Sequence, residues 1–187
     1  GNPLRPYPRW KVILFFFFIM SWSTGVVLIW LKISSLSENI DLKDVNGDLQ
    51  NLSKYTSNGN PVIISFWATW CKPCKAELNT IAEEYDDWVE ETGVELIAIS
   101  IDDSRSSLRV EPYINAMSWE YTVLLDPNGD CKRAMNVNNI PHTFLINGQG
   151  KVVWDHNNYS PGDEEELYNE LIKLNKWKLI FSLNLVS

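Results

Sequence analysis

Residues 66–77 read FWATWCKPCKAE, and this stretch decides the fold because two cysteines stand where one pattern of residues gives way to another. The continuous apolar run 62–68 before the cysteines predicts a strand buried on both faces. After them, apolar residues recur at helical spacing among acidic ones, which predicts an amphipathic helix that begins near Pro73. Cys71 and Cys74 are therefore expected at the N-terminus of this helix.

This location favours a reactive thiol at Cys71. Unpaired backbone N–H groups and the positive end of the helix dipole stabilise an anion there, and the thiolate is the nucleophilic form of cysteine. Lys72 adds a positive charge, and Pro73 suits a first turn, where a missing N–H does no harm. One helical turn brings Cys74 within reach of Cys71, so the pair can form and break a disulfide.

A cysteine pair of this spacing has two other possible roles, as a structural disulfide and as half of a zinc site. The chain has three cysteines, Cys71, Cys74 and Cys131, which excludes a four-cysteine zinc site. His142 and His156 lack the spacing of finger-type sites. A disulfide that closes so short a loop would add little stability. We therefore expect no metal and no cofactor beyond a redox-active Cys71–Cys74 disulfide. Cys131 is interpreted as a bystander.

Strand and helix patterns alternate over the rest of the chain. An Asn-Gly pair within residues 41–50 indicates a hairpin ahead of the main sheet, and a glycine-bearing turn joins the last two strands. This order predicts an α/β fold with a central mixed sheet, helices on both faces and an N-terminal β-hairpin extension. The predicted strands cover 62–68, 94–101, 121–125, 143–146 and 151–155, and the further helices cover 52–55, 104–117 (disturbed by Pro112), 130–135 and a last one ending near Lys178.

The motif FWATWCKPC at residues 66–74, followed much later by Ile140-Pro141 before the strand HTFLI, resembles the thioredoxin superfamily. Within it, residues 41–178 are similar to the membrane-anchored TlpA/ResA-like thiol-disulfide oxidoreductases. Cytosolic thioredoxins usually carry a buried aspartate where this chain has Ser65. The resemblance implies a thioredoxin fold, with Cys71 attacking a substrate disulfide and Cys74 resolving the mixed disulfide.

The TlpA/ResA-like pattern also has a glutamate three residues after the second cysteine, and Glu77 stands there. It could be an ordinary surface carboxylate of an acidic helix. However, it lies one turn beyond Cys74 on the same helix face, which favours a partly desolvated group that relays the proton of the resolving thiol. Glu77 is therefore a candidate catalytic residue beside the two cysteines.

The resemblance implies supporting roles for residues outside the helix. Pro141 corresponds to the family's cis-proline, and the backbone of Ile140 before it would pair with an extended substrate. His142 is expected to be a polar residue at a strand start, with a role in tuning the thiolate as the alternative. Trp70 and Trp67 are expected to pack around the site.

The N-terminal segment predicts a membrane anchor. Residues 12–31 contain twenty residues without a charge, enough to span a bilayer core, and three of the four cations among residues 1–40 precede them. The positive-inside rule keeps the N-terminus cytoplasmic and sends the rest across the membrane. A cleaved signal peptide is the less favoured alternative. The expected organisation is a cytoplasmic stub and anchor at 1–32, a linker at 33–40, the domain at 41–178 and an apolar tail of unassigned role at 179–187.

The net charge of the chain limits which kinds of partner it can bind. The chain carries a net charge of −8, and residues 1–40 carry four cations and one anion, which leaves −11 for residues 41–187. So acidic a domain argues against nucleic acid as a partner.

The expected function is that of a membrane-anchored, extracytoplasmic (periplasmic) thiol-disulfide oxidoreductase that reduces protein disulfides. Its expected substrates are apocytochrome c or other exported proteins, and its expected reductant is a membrane electron donor. The alternatives are thiol oxidation or isomerisation, a copper chaperone using Cys71, Cys74 and His142, and a peroxidase, whose cysteine context is absent.

Overall fold

The computed structural model describes residues 40–184, with side chains described through Lys176. In this part of the chain, seven strands form one sheet in the order β2-β1-β5-β4-β3-β6-β7. Strands β3, β4 and β5 run parallel, whereas β1, β6 and β7 join as antiparallel neighbours. The elements are β1 Asp41–Asp44, β2 Leu49–Asn51, α1 Ser53–Thr56, β3 Val62–Trp67, α2 Lys72–Thr92, β4 Glu95–Ser100, α3 Val110–Met117, β5 Thr122–Leu125, α4 Asp130–Ala134, β6 His142–Ile146, β7 Val152–Asn157 and α5 Asp163–Asn184.

The core has two layers because neighbouring residues of a strand point to opposite faces of the sheet. Ile63 and Trp67 of β3 pack under α2, α3 and α5, in the same cluster as the cysteine pair. Ile64 and Phe66 face the other way, against residues of α1 and α4. All six side chains of β3 are buried, as expected for a central strand. The predicted mixed sheet with helices on both faces, preceded by a β-hairpin, is confirmed.

Two helices differ from the sequence prediction. The helix expected from Ser104 begins at Val110, after a short 3-10 turn over residues 107–109. Pro112 does not disturb it, because Pro112 lies in its first turn, where no N–H is needed. The last helix continues to Asn184, beyond the end expected near Lys178, so most of the segment 179–187 prolongs α5.

The predicted anchor at 12–31 and all but the last residue of the predicted linker lie outside the described residues. Within the described range, no helix combines the length and the apolar character that a bilayer crossing requires. The proposed division of the chain into stub, anchor, linker, domain and tail therefore stays a prediction.

Candidate redox site

The cysteine pair lies where β3 leads into α2. Cys71 is the N-cap residue of α2, and its sulfur accepts a hydrogen bond from the backbone N–H of Cys74 at 3.3 Å. The two residues form a disulfide, with their Cα atoms 5.4 Å apart. Cys74 is fully buried, whereas Cys71 keeps 5% of its surface exposed. Cys71 is thus the more accessible residue of the pair, although less exposed than a position at an open edge would suggest.

The two residues between the cysteines and Trp70 directly before them are solvent-facing, whereas Trp67 is buried. Lys72 and Pro73 form the exposed start of α2, as the sequence predicted. Trp67 packs against the rings of Tyr113 and Trp119, which confirms its packing role. Trp70, directly before Cys71, is 63% exposed. The neighbouring Thr69 turns inward to a buried carboxylate, which leaves the next side chain pointing to solvent.

Glu77 is buried in the core between α2 and the sheet, so it is not a surface carboxylate. The Thr143 hydroxyl donates to its Oε1 at 2.7 Å, and the Ser65 hydroxyl donates to its Oε2 at 3.3 Å. The two hydroxyl oxygens lie 3.0 Å from each other. Ser65, which stands where cytosolic thioredoxins usually have an aspartate, is thus a hydrogen-bond partner of Glu77.

Burial raises the pKa of Glu77 from its ordinary value of 4.5 to about 7. The hydrogen bonds from Thr143 and Ser65 act in the opposite direction because they stabilise the carboxylate. The negative charges of Asp163 and Glu164, at the start of α5, raise the pKa further. A carboxyl group with this pKa can take up and release a proton near neutral pH, one helical turn beyond Cys74.

Sequence analysis missed Thr143 as a site residue. Strands β3 and β6 pair with Ser65 directly opposite Thr143, so their side chains meet on the face that α2 covers. Thr143 directly precedes the apolar run 144–146 of a predicted buried strand, which is an available signal that its side chain is buried. The register that sets it opposite Ser65 is a long-range property that no local pattern contains.

The Ile140–Pro141 peptide bond is cis, as the resemblance implied. The pairing of β3 with β6 ends at Phe66 opposite His142. Pro141 therefore comes at the end of β3 from which the chain continues to Cys71. Pro141 is buried and Ile140 is partly buried.

His142 is directed away from the Glu77 network. It precedes Thr143 on β6, so it points to the opposite face of the sheet, where its ring stacks on Phe144. Its Nε2 lies 3.0 Å from a carboxylate oxygen of Asp155 on β7. These contacts support the interpretation of His142 as a polar residue at a strand start.

Cys131 lies in the other core layer and is fully buried. Burial raises the pKa of its thiol to about 12, so it remains a protonated, unreactive thiol at neutral pH. We expect iodoacetamide to modify Cys71 but not Cys131 in the reduced, folded protein, and all three cysteines after denaturation, counted by mass spectrometry. Modification of Cys131 in the folded protein at the rate seen for Cys71 would contradict this expectation.

A thioredoxin-like sheet and a disulfide of CxxC spacing at a helix N-terminus define the chain as a thioredoxin-like redox protein. A family model described as the AhpC/TSA family matches residues 33–155, about two thirds of the chain. The chain belongs to the AhpC/TSA family, and the resemblance to the thioredoxin superfamily and its ResA-like thiol-disulfide oxidoreductases is confirmed.

Three relatives illustrate the likeness. The thiol-disulfide oxidoreductase ResA of Bacillus subtilis (strain 168) is 36% identical over 124 residues, which cover 64% of this chain and 66% of that protein, slightly less than two thirds of its length. An uncharacterized thioredoxin-like protein from Porphyromonas gingivalis has 47% identity and a TM-score of 0.67, over 76% of this chain and 93% of that one. StoA of Bacillus subtilis has 24% identity and a TM-score of 0.57, over 70% of this chain and 95% of that one. This likeness supports the fold alone.

Proposed function

We propose that this protein is a thiol-disulfide oxidoreductase that reduces disulfides of other proteins through Cys71 and Cys74. One observation carries the proposal: a disulfide at a helix N-terminus lies one turn before a buried carboxyl group, Glu77, that titrates near pH 7. The ResA relative, named for this activity, supports it. Cys71 is the more accessible residue of the pair and the N-cap of α2, and is therefore assigned as the nucleophile.

The reaction starts from the reduced dithiol. The Cys71 thiolate attacks one sulfur of a substrate disulfide, the substrate S–S bond breaks, and the departing sulfur leaves as a thiolate that takes up a proton from solvent. Cys74 then passes its thiol proton to the Glu77 carboxylate and attacks the Cys71 sulfur, which releases the second substrate thiolate. Two electrons have moved to the substrate, and the Cys71–Cys74 disulfide remains.

A reductant must then restore the dithiol, and the Glu77 proton returns to Cys74 in that step. We propose that a membrane electron donor fills this role and that the substrates are exported proteins, apocytochrome c among them. The location we propose is extracytoplasmic, with residues 12–31 as the membrane anchor. The uncharged run at 12–31 and the cations before it support this location.

The alternative directions and classes have less support. Oxidation of substrate thiols uses the same residues, and its direction depends on the reduction potential, of which about 30 mV corresponds to about 1.4 kcal/mol. A copper site made of Cys71, Cys74 and His142 would require His142 to leave Asp155 and the opposite face of the sheet. A buried proton acceptor for the second cysteine favours disulfide exchange over metal storage.

The test of the proposed function is reduction of a protein disulfide by the full chain. With dithiothreitol as reductant, we expect catalytic amounts of the protein to accelerate the reduction of insulin, followed by turbidity. Reduced protein should also bind Cu(I) no more tightly than a matched CxxC peptide. Stoichiometric tight copper binding without any acceleration would overturn the proposal.

A further inference from the structure

A buried carboxylate holds the segment that leads into the cysteine pair. Asp102 follows β4 and is only 1% exposed. Its Oδ2 accepts hydrogen bonds from the backbone N–H of Thr69 at 2.7 Å and from the Ser100 hydroxyl at 2.9 Å. Its Oδ1 accepts from the Thr69 hydroxyl at 2.7 Å. Thr69 is therefore fixed to Asp102 through both its backbone and its side chain.

Thr69 lies within the turn that links β3 to α2. The Cys71 N–H donates to the Ala68 carbonyl at 3.0 Å and closes this turn. One residue earlier, the Trp67 carbonyl accepts from Ile101 at 2.9 Å, directly before Asp102 on the neighbouring chain segment. Fixing Thr69 thus sets the direction in which the chain presents the next two residues, the exposed Trp70 and the N-cap Cys71.

We propose that Asp102, acting through Thr69, is a positioning residue for disulfide exchange by Cys71. The inference rests on the proposed function and deepens it. Release of Thr69 would let the turn relax and move Cys71 away from the N–H groups at the start of α2, which stabilise its thiolate. Nucleophilic attack also requires the Cys71 sulfur in line with the substrate disulfide, so a small displacement lowers the rate.

The chain offers a matched control for a purely structural role. Asp126 follows β5, is 2% exposed, and accepts hydrogen bonds from the backbone N–H groups of Asp130 and Lys132 at 2.7 and 2.8 Å. It therefore fixes the start of α4 much as Asp102 fixes Thr69. Helix α4 packs on the face of the sheet opposite the cysteine pair. Loss of either carboxylate leaves partly buried backbone N–H donors unpaired, but only Asp102 contacts the turn at residues 68–71 that leads to Cys71.

The experiment compares Asp102→Ala, Thr69→Val and Asp126→Ala in the full chain. The wild-type rate of insulin reduction tests the proposed function by itself. We expect Asp102→Ala to lower kcat/KM for a peptide disulfide by about tenfold and Thr69→Val by about threefold, relative to Asp126→Ala. The pH profile of Cys71 alkylation in the reduced protein should move to higher pH in the first two variants and remain unchanged in Asp126→Ala.

If kcat/KM falls in both Asp102→Ala and Thr69→Val while the pH profile of Cys71 alkylation stays unchanged, Asp102 is a structural residue only and the inference is overturned. Equal effects of Asp102→Ala and Asp126→Ala would also overturn it. If Asp102→Ala does not fold, Thr69→Val decides alone, because it removes one hydroxyl and keeps the shape of the side chain. A wild-type profile in Thr69→Val would then be the contrary result.

Discussion

The Cys74→Ser variant is expected to accumulate mixed disulfides through Cys71, and the Cys71→Ser variant to lose disulfide reduction by about a thousandfold or more. Cys71 is the cysteine of the pair with residual exposure and lies at the N-cap, whereas Cys74 is fully buried. Without Cys74, the bond between Cys71 and the substrate has no internal attacker, so the intermediate persists. Non-reducing electrophoresis and mass spectrometry of the adducts measure this.

The control for trapping is the reciprocal variant under the same conditions. Cys71→Ser retains Cys74 as a thiol, and its burial should prevent adducts with a protein substrate. A Cys131→Ser variant should trap no adducts and should reduce insulin like the wild type, since Cys131 lies in the other core layer. Adducts through Cys74 rather than Cys71 would reverse the assignment of nucleophile and resolving cysteine.

The Glu77→Gln variant is expected to slow the resolving step by about a hundredfold at pH 8, because glutamine cannot accept the Cys74 proton. In the wild type, the carboxylate form of Glu77 grows as pH rises through about 7, and the rate of the resolving step should rise with it. The variant should lack this inflection. Single-turnover reduction of a peptide disulfide from about pH 5 to about pH 9, followed by stopped-flow fluorescence, measures both effects.

A second variant separates the proton-acceptor role of Glu77 from a packing role. The Thr143 hydroxyl donates to the Glu77 carboxylate, so Thr143→Val removes a group that favours the charged form. In Thr143→Val, the inflection in the pH dependence of the resolving step should therefore move to higher pH rather than disappear. If Glu77→Gln retains the wild-type inflection, the titrating group is not Glu77, and the relay is wrong.

The same carboxyl group makes folding stability depend on pH. In the folded protein Glu77 keeps its proton up to about pH 7, whereas an unfolded chain releases it near its ordinary pKa of 4.5. Between these two pH values the folded state binds more protons, so the free energy of unfolding falls as pH rises. The fall takes place between about pH 4.5 and pH 7 and amounts to about 3 kcal/mol once pH 7 is passed. Glu77→Gln should remove this dependence and be the more stable protein at pH 8, as measured by urea denaturation.

Local pattern was sufficient to predict the core of the site. The strand, the cysteine pair and the helix are contiguous at residues 62–92, so their order and periodicity are visible in a single stretch of sequence. The spacing of Cys74 and Glu77 on one helix face follows from helical geometry alone. The position of Pro141 at the same end of β3 came from the resemblance.

The partners that give the site its chemistry could not be predicted in this way. Thr143 meets Glu77 across 66 residues of chain, and Asp102 meets Thr69 across 33. Such contacts depend on strand register and on which helix covers which face, neither of which is encoded locally.

The separation of Cys131 from the other two cysteines has a consequence for biosynthesis. Three cysteines permit three different disulfides, and an oxidising compartment would offer all of them to an unfolded chain. Once the sheet has formed, it stands between Cys131 and the Cys71–Cys74 pair, which belong to opposite core layers. The folded topology thus permits only the Cys71–Cys74 disulfide. A chain that pairs Cys131 with either of the other cysteines could not form the complete sheet.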